Sequence, residues 1–510
     1  MRVLLVNANR KADLLAAAPI GLCYVATATR QAGHDVRVLD LCFAGSRALA
    51  HLRSAVRTFR PETVGFSVRN VDNVNLLRPV SYLPGVANLV AEVRRYCDSP
   101  IVLGGSAISL MPEAALRAAG ADIVVVSDGE RSFLALLEAQ AAGAHPKGIP
   151  GVGFLDRGGY RQTAPEYPAF DVPAPDLGRW IDLAPYERLG GSYGIQTKRG
   201  CPRACVYCTY NARLEGSLLR LRDAREVVDE MEEAVHRYHP RMFEIVDSVF
   251  NDPPDHARAI LEEILRRAWT TRLTAMGVHP LHLDHDLLEL MWRAGFRSFM
   301  ITPESASDPV LRRYRKGFGR EQVVRAAEAI ARTSFSVWWS FLLGGPGETH
   351  ATLQESLDFC RRHLHGSTTG AARHVAQLFF GVRLYPGTDL WQQASEEGLI
   401  RTDADPLQQL WYVSRDLNLR RALAQMEAAA AESPEILLGY DEGYLTFSRM
   451  AAAACRLFGR RPPFWRHARD LNALALRAHL RFLVRPDGMA PRVETTLRRQ
   501  CPSRPQTPAS

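Results

Sequence analysis

A chain of 510 residues is too long for one ordinary hydrophobic core and predicts two or three domains. With 46% hydrophobic and 23% charged residues it reads as soluble and globular. The net charge of +8 comes without a basic run: Lys11, Lys147, Lys198 and Lys316 are the only lysines, and scattered arginines make a solvated surface, which excludes a nucleic-acid-binding arm. The apolar stretch 14–29 holds Pro19 and Gly21 and is too short to span a membrane. A strand-like run precedes it, so it reads as the first helix of a cytoplasmic protein rather than a signal peptide. Outside one cluster the cysteines stand alone (Cys23, Cys42, Cys97, Cys360, Cys455, Cys501) and form no disulfide framework.

Residues 1–148 alternate strand and helix patterns. "RVLLVNA" opens as a strand, 20–32 reads as a helix closed by Gly33, and the runs 35–41, 63–68, 100–105 and 122–128 are further strands. They are short, β-branched and unbroken, as in a buried parallel sheet. With helices between them they predict a doubly wound, Rossmann-like α/β domain whose ligands sit at the carboxyl ends of the strands. At those ends stand Ser67 with "RNVDN" (Arg69, Asn70, Asp72, Asn73), "GGSAIS" (Gly104, Gly105, Ser106, Ser109) and "SDGE" (Gly129, Glu130). Glycines there admit a large planar ligand to the backbone, and small polar groups can bond its edges. No G-x-G-x-x-G follows the first strand, which disfavours a nicotinamide dinucleotide.

These loops resemble the cobalamin-binding domain at the amino terminus of many radical S-adenosylmethionine (SAM) enzymes, where "GG", a small hydroxyl and a "GEGE"-like turn embrace the corrin. "SDGE" departs from that turn at its first two positions. The D-x-H-x-x-G loop of other cobalamin proteins is absent, so the resemblance implies no lower histidine ligand to cobalt. Arg69 is no metal ligand. Two readings of it stay open: it lies under the cobalt and leaves that face unligated, or it pairs with Asp72 or a corrin side chain. Residues 149–192, rich in Gly and Pro, read as a linker with a short hairpin.

"GIQTKRG" reads as a strand, and its loop carries Cys201, Cys205 and Cys208 in the spacing C-x3-C-x2-C. Structural zinc wants four closed ligands, a disulfide strands the third thiol, and three thiolates on a [4Fe–4S] cluster leave one iron open. With Pro202 after the first cysteine and Tyr207 before the third, the motif resembles the radical-SAM signature. The resemblance implies that the open iron chelates SAM, that SAM is cleaved to a 5′-deoxyadenosyl radical, and that Tyr207 meets the adenine through its backbone.

Downstream, six strand–helix units predict a partial (β/α)6 barrel of TIM type with its chemistry at the strand ends. Those ends carry Asp247 and Ser248, Glu304 and Ser305, Gly344 and Gly345 within "LLGGPGE", and Arg383 within "RLYPGT". The resemblance implies that Asp247 and Ser248 hold the SAM amino group, that Glu304 meets the ribose, and that the glycine-rich turn cradles SAM. Local readings compete: Glu304 can cap the next helix, and Gly345 with Pro346 can be a turn. Trp338 and Trp339 alternate on the fifth strand, so one points into the barrel.

The expected domains are a cobalamin-binding domain (1–148), the linker (149–192), a radical SAM barrel (193–400), a helical region (401–484) and a disordered tail (485–510). The resemblance implies a methyltransferase using a [4Fe–4S] cluster, SAM and cobalamin to pass a methyl group, by way of methylcobalamin, to a carbon of a small-molecule or peptide natural-product intermediate. Its electrons would come from an external flavodoxin- or ferredoxin-type donor. A non-methylating radical rearrangement or cyclisation and a cobalamin-binding sensor are the alternatives.

Overall fold

The computed structural model describes all residues except 11–15, 77–78, 269–270, 366–371, 440–451, 479–488 and 501–510. Cys501 therefore lies outside the described residues. In the first domain β1 (Arg2–Asn7), β2 (Asp35–Asp40), β3 (Thr63–Ser67), β4 (Ile101–Gly104) and β5 (Ile123–Val125) pair in parallel in the order β2-β1-β3-β4-β5. Alternate side chains of β1 feed two cores: Leu4 and Val6 pack on one face of the sheet, Val3 and Leu5 on the other. The chain reverses direction across the sheet between β1 and β3, which opens a crevice at their carboxyl ends.

The linker's hairpin, β6 (Val152–Asp156) and β7 (Gly159–Gln162), adds to this sheet as an antiparallel edge beside β5. The first domain's sheet thus reaches past residue 148.

The barrel begins with β8 (Tyr193–Ile195) and a small hairpin of β9 (Lys198–Arg199) and β10 (Arg220–Leu221). The remaining wall is β11 (Phe243–Ile245), β12 (Leu273–Ala275), β13 (Ser298–Glu304), β14 (Ser336–Leu343) and β15 (Arg373–Phe380). β8, β11, β12, β13, β14 and β15 run parallel, with the bridges Leu273–Phe296 and Val278–Ile301 joining β12 to β13. On β14 the alternation is resolved. Trp339 packs outward on Phe359, while Trp338 faces the lumen and donates from Nε1 to Gln377 Oε1 at 3.2 Å.

At Gly381 (φ +78°) the sixth strand breaks. Its continuation β16 (Val382–Leu384) turns away to pair antiparallel with β17 (Leu410–Tyr412). The region past residue 400 is helical, and it also supplies a seventh parallel strand, β18 (Ile436–Leu438), beside β15. The tail is a correction: residues Met489–Gln500 form a helix. Val493 and Leu497, four residues apart, are buried on one stripe. Gln500 accepts from Trp411 N at 2.8 Å and donates to Trp411 O at 2.6 Å, finishing the free edge of β17. Among the described residues no helix is long and apolar enough to cross a membrane.

Candidate functional site

Cys201, Cys205 and Cys208 lie on the loop between β9 and β10, all as free thiols. Gly200 (φ +86°) starts that loop pressed against the Leu218 carbonyl, where no side chain fits. Cys208 N donates to Cys205 O at 3.0 Å, closing a tight turn. Burial raises the Cys201 thiol and pushes Cys208 up to about 11. Backbone N–H groups of Arg203 toward Cys201, and of Tyr210 and Asn211 toward Cys208, pull the other way. Such donors favour thiolates. Three free thiols on one short loop match the three thiolates of an open-cornered [4Fe–4S] cluster and are one short of the four ligands of closed zinc.

Tyr207 ties this loop to the barrel. Its hydroxyl donates to Glu304 Oε1 at 3.1 Å and accepts from Lys316 Nζ at 3.0 Å. Glu304 ends β13 at a register shift with φ +69°, a strained backbone for a non-glycine residue. Burial raises its carboxyl against the pull of Lys316 and Tyr207. It therefore caps no helix. The Tyr207 ring meets Tyr314 edge-on at 5.2 Å, and Gly345 lies against Tyr314, where a side chain would collide. Gly344 (φ +85°) donates its N–H to Glu348 Oε2 at 3.2 Å, and Thr352 Oγ1 donates to Oε1 at 2.9 Å. Glu348 is buried, and desolvation pushes it up to about 7.

Several predicted contacts are consumed by structure. Asp247 is buried and accepts from Thr197 N at 2.7 Å and Thr197 Oγ1 at 2.5 Å, with Lys198 Nζ 3.8 Å away. Ser248 beside it stays partly open. Ser305 is turned outward to Ser356 Oγ at 3.2 Å. Ser109 accepts from Ser127 N at 2.9 Å, tying its short helix to the neighbouring loop after β5.

The acids of "SDGE" and "RNVDN" reach across to the barrel. Arg199, two residues before Cys201, donates to Glu130 Oε1 at 2.7 Å and Oε2 at 3.2 Å and lies 3.4 Å from Asp128. Arg220 completes the group on Asp128. The linker's Phe170 stacks beneath Arg199 at 4.1 Å. On the other side Arg383 donates from Nε to Asp72 Oδ2 at 3.0 Å, with both side chains buried. Asp72, Glu130 and Arg383 are thus partners of one another's domains.

Between these two ion-paired joints loops of the two domains meet, and the space they border is called the chamber. The short helix Ser106–Leu110 beyond the "GG" turn packs on Tyr210–Leu214, the segment after Cys208. Ser127 Oγ donates to Arg213 O at 3.2 Å. At the first domain's rim Arg69 and Asn70 are exposed, and Ser106 Oγ donates to Arg69 O at 2.7 Å. Asn73 is partly buried, with its side-chain oxygen accepting from Val80 N at 3.0 Å. A side chain on Gly105 (φ +96°) would put its Cβ 2.6 Å from the Val68 carbonyl oxygen, whereas a Cβ on Gly104 would lie 3.6 Å from Val125 O, an ordinary contact. Gly129, at the foot of its helix, abuts Val25 at 3.4 Å. With Ser67, these groups leave a rim of glycines, hydroxyls and amides that fits a corrin. Asp72 being taken, Arg69 makes no ion pair among the described residues.

Burial raises the Tyr210 hydroxyl and the Glu244 carboxyl, and the positive charge of Arg69 works against both. Tyr210 is 42% exposed. Glu244, an inward residue of β11, accepts from Ser192 Oγ at 2.8 Å, and desolvation raises its carboxyl. The sequence reading missed Glu244. Its signal is a charge at the inward position of "MFEIVDS", between two outward apolar residues.

Residues 7–137 match the B12 binding domain family, and residues 195–360 match the radical SAM superfamily. The chain is 27% identical over 463 residues to tryptophan 2-C-methyltransferase of Streptomyces laurentii, covering 78% of this chain and 74% of that one. It is 23% identical over 452 residues to cytidylyl-2-hydroxyethylphosphonate methyltransferase of Streptomyces wedmorensis, covering 77% and 80%. It shares its fold with the radical S-adenosylmethionine methyltransferase TsrM of Kitasatospora setae, solved with tryptophan substrate and a SAM analog. The TM-score is 0.80 at 24% identity, with 94% of this chain and 99% of that one covered.

Proposed function

We propose, for a chain that joins a B12-binding domain to a radical SAM domain, a methyltransferase that carries a methyl group from SAM by way of cobalamin to a carbon of a small molecule. One observation supports it above the rest: the segment following Cys208 packs directly on the helix that follows the "GG" turn, so the two cofactor loops meet. Cys201, Cys205 and Cys208 would hold a [4Fe–4S] cluster. Gly344, Gly345, Ser248 and Glu304 would receive SAM, with Tyr207 holding Glu304 in place. Ser67, Arg69, Asn70, Asn73, Gly104, Gly105, Ser106 and Gly129 would receive cobalamin. When bound, cobalamin relays methyl groups, and the open-cornered cluster binds SAM and passes it an electron.

The chain's own groups set the conditions. Arg69 would meet the corrin as a cation rather than as a ligand to its metal. Glu244, on the inward side of its strand and hydrogen-bonded by Ser192, would offer a carboxyl to a polar group of the substrate. Methyl transfer needs reduced cofactors, and a flavodoxin- or ferredoxin-type donor in the cytoplasm fits that need. The amino-acid substrate of the tryptophan-methylating relative makes tryptophan-like compounds the first to try.

The test is anaerobic reconstitution with iron, sulfide and cobalamin, followed by turnover with SAM and a panel of aromatic amino acids and other small polar acceptors. A product heavier by one methyl supports the reading. SAM cleavage with an unchanged product mass favours a rearrangement or cyclisation. Cobalamin binding with no SAM consumption favours a sensor. Replacing Cys201, Cys205 and Cys208 with Ala should remove both the cluster absorbance and turnover.

A further inference from the structure

The opposite mouth of the barrel gathers more arginines than acids to match them. Arg272 directly precedes β12 and Arg297 directly precedes β13, and Arg297 N donates to Leu273 O at 3.3 Å, so the two are neighbours across the strand pair. Arg297 lies flat on Trp292 at 4.1 Å and donates from Nη1 to two backbone carbonyls at 2.7 Å, which fixes its plane. The turn Phe464–His467 closes this mouth: its Trp465 packs edge-on to Trp338 at 5.7 Å from below, bringing Arg466 and His467 to the same place.

Two carboxylates stand at this mouth among the described residues, each held by another arginine: Asp470 accepts from Arg373 at 2.6 Å and the buried Glu435 accepts from Arg469 at 2.8 Å. Among the described residues Arg272, Arg297 and Arg466 make no ion pair. Arg272 Nη1 and His467 Nε2 are buried with no hydrogen-bond partner. Burial, and after it the charge of neighbouring arginines, lowers Arg272 and Arg466 and holds His467 down to about 4.

Half-buried guanidiniums without an ion partner carry a desolvation cost, and at Arg272 Nη1 no hydrogen bond offsets it. Three of them around one closed mouth suit a compact oxyanion, not an extended polyanion, which would need a track of exposed charge. We propose that Arg272, Arg297 and Arg466 form a binding site for a phosphate group, remote from the cofactor chamber and independent of what that chamber does. The group belongs either to free phosphate or to a small phosphate ester.

The experiment is calorimetric titration of the cofactor-loaded full chain in phosphate-free buffer with inorganic phosphate and, separately, glycerol phosphate, at constant ionic strength. One-to-one saturable binding is expected, weakened roughly tenfold or more in Arg272→Gln and Arg466→Gln. Tighter binding of the ester names a phosphorylated metabolite, and equal or tighter binding of the free ion names phosphate itself. Non-saturating heats, or heats equal in both variants and abolished by equivalent chloride, would overturn the site. A second readout guards against misfolding. Without phosphate each variant should melt no lower than the parent, since it loses a like charge, whereas a clear fall would show that the arginine already has a partner and would equally overturn the proposal.

Discussion

The two mouths of the barrel treat arginine in opposite ways. At the carboxyl mouth Arg199, Arg220 and Arg383 each meet an acid of the first domain, at 2.7 Å for Arg199 with Glu130 and 3.0 Å for Arg383 with Asp72. At the amino mouth Arg272, Arg297 and Arg466 meet none among the described residues. A buried cation answered within the chain acts as a joint. One left unanswered stores repulsion until something outside the chain neutralises it.

The largest expected effect that separates the two mouths comes from Arg199→Met. It strands Glu130 in a buried site and should cost about 3–5 kcal/mol, read as a lower melting transition or its splitting into two as the domains uncouple. Arg383→Met should behave alike, and adding Asp72→Leu should recover most of the loss in a double-mutant cycle.

Next is Glu348 on the glycine-rich turn. Its carboxyl is raised from the ordinary 4.5 to about 7, so the folded state prefers it protonated. Stability from this group is complete below pH 4.5 and drains as pH climbs through about 7, by about 3 kcal/mol in all. Glu348→Gln should flatten that slope in denaturation curves taken from pH 4.5 to 8.

Glu244→Gln should leave both cofactors bound and lower kcat/KM roughly tenfold or more, as expected for a group that faces the substrate. Smallest of all is Arg466→Gln, which should change stability by less than about 1 kcal/mol in phosphate-free buffer. If it proved as damaging as Arg199→Met, the contrast between the mouths would vanish.

Both domains were legible from hydrophobic alternation, because each strand is short, apolar and flanked by an amphipathic helix. The cysteine trio was legible because its spacing is local. What escaped reading was set by distance along the chain. "SDGE" places Glu130 correctly at a strand end, but its partner is Arg199, 69 residues away, and no local pattern announces that. Ser109 and Ser305 sit at strand ends yet turn toward neighbouring segments of the fold, a rotamer choice made by packing. Glu244 was readable by strand parity but carried no motif. The helix 489–500 was hidden by a largely polar composition in which the two buried apolar residues, Val493 and Leu497, happen to share a stripe.

Phe170 lies under Arg199, and the hairpin β6–β7 extends the first sheet, so the connector is built into the joint between the domains. Anyone grafting a corrin module from a relative should therefore cut beyond residue 176 and not at the apparent boundary near 148. A chimera spliced at the earlier point would swap the acids of the joint while keeping a foreign aromatic floor beneath the arginine they hold.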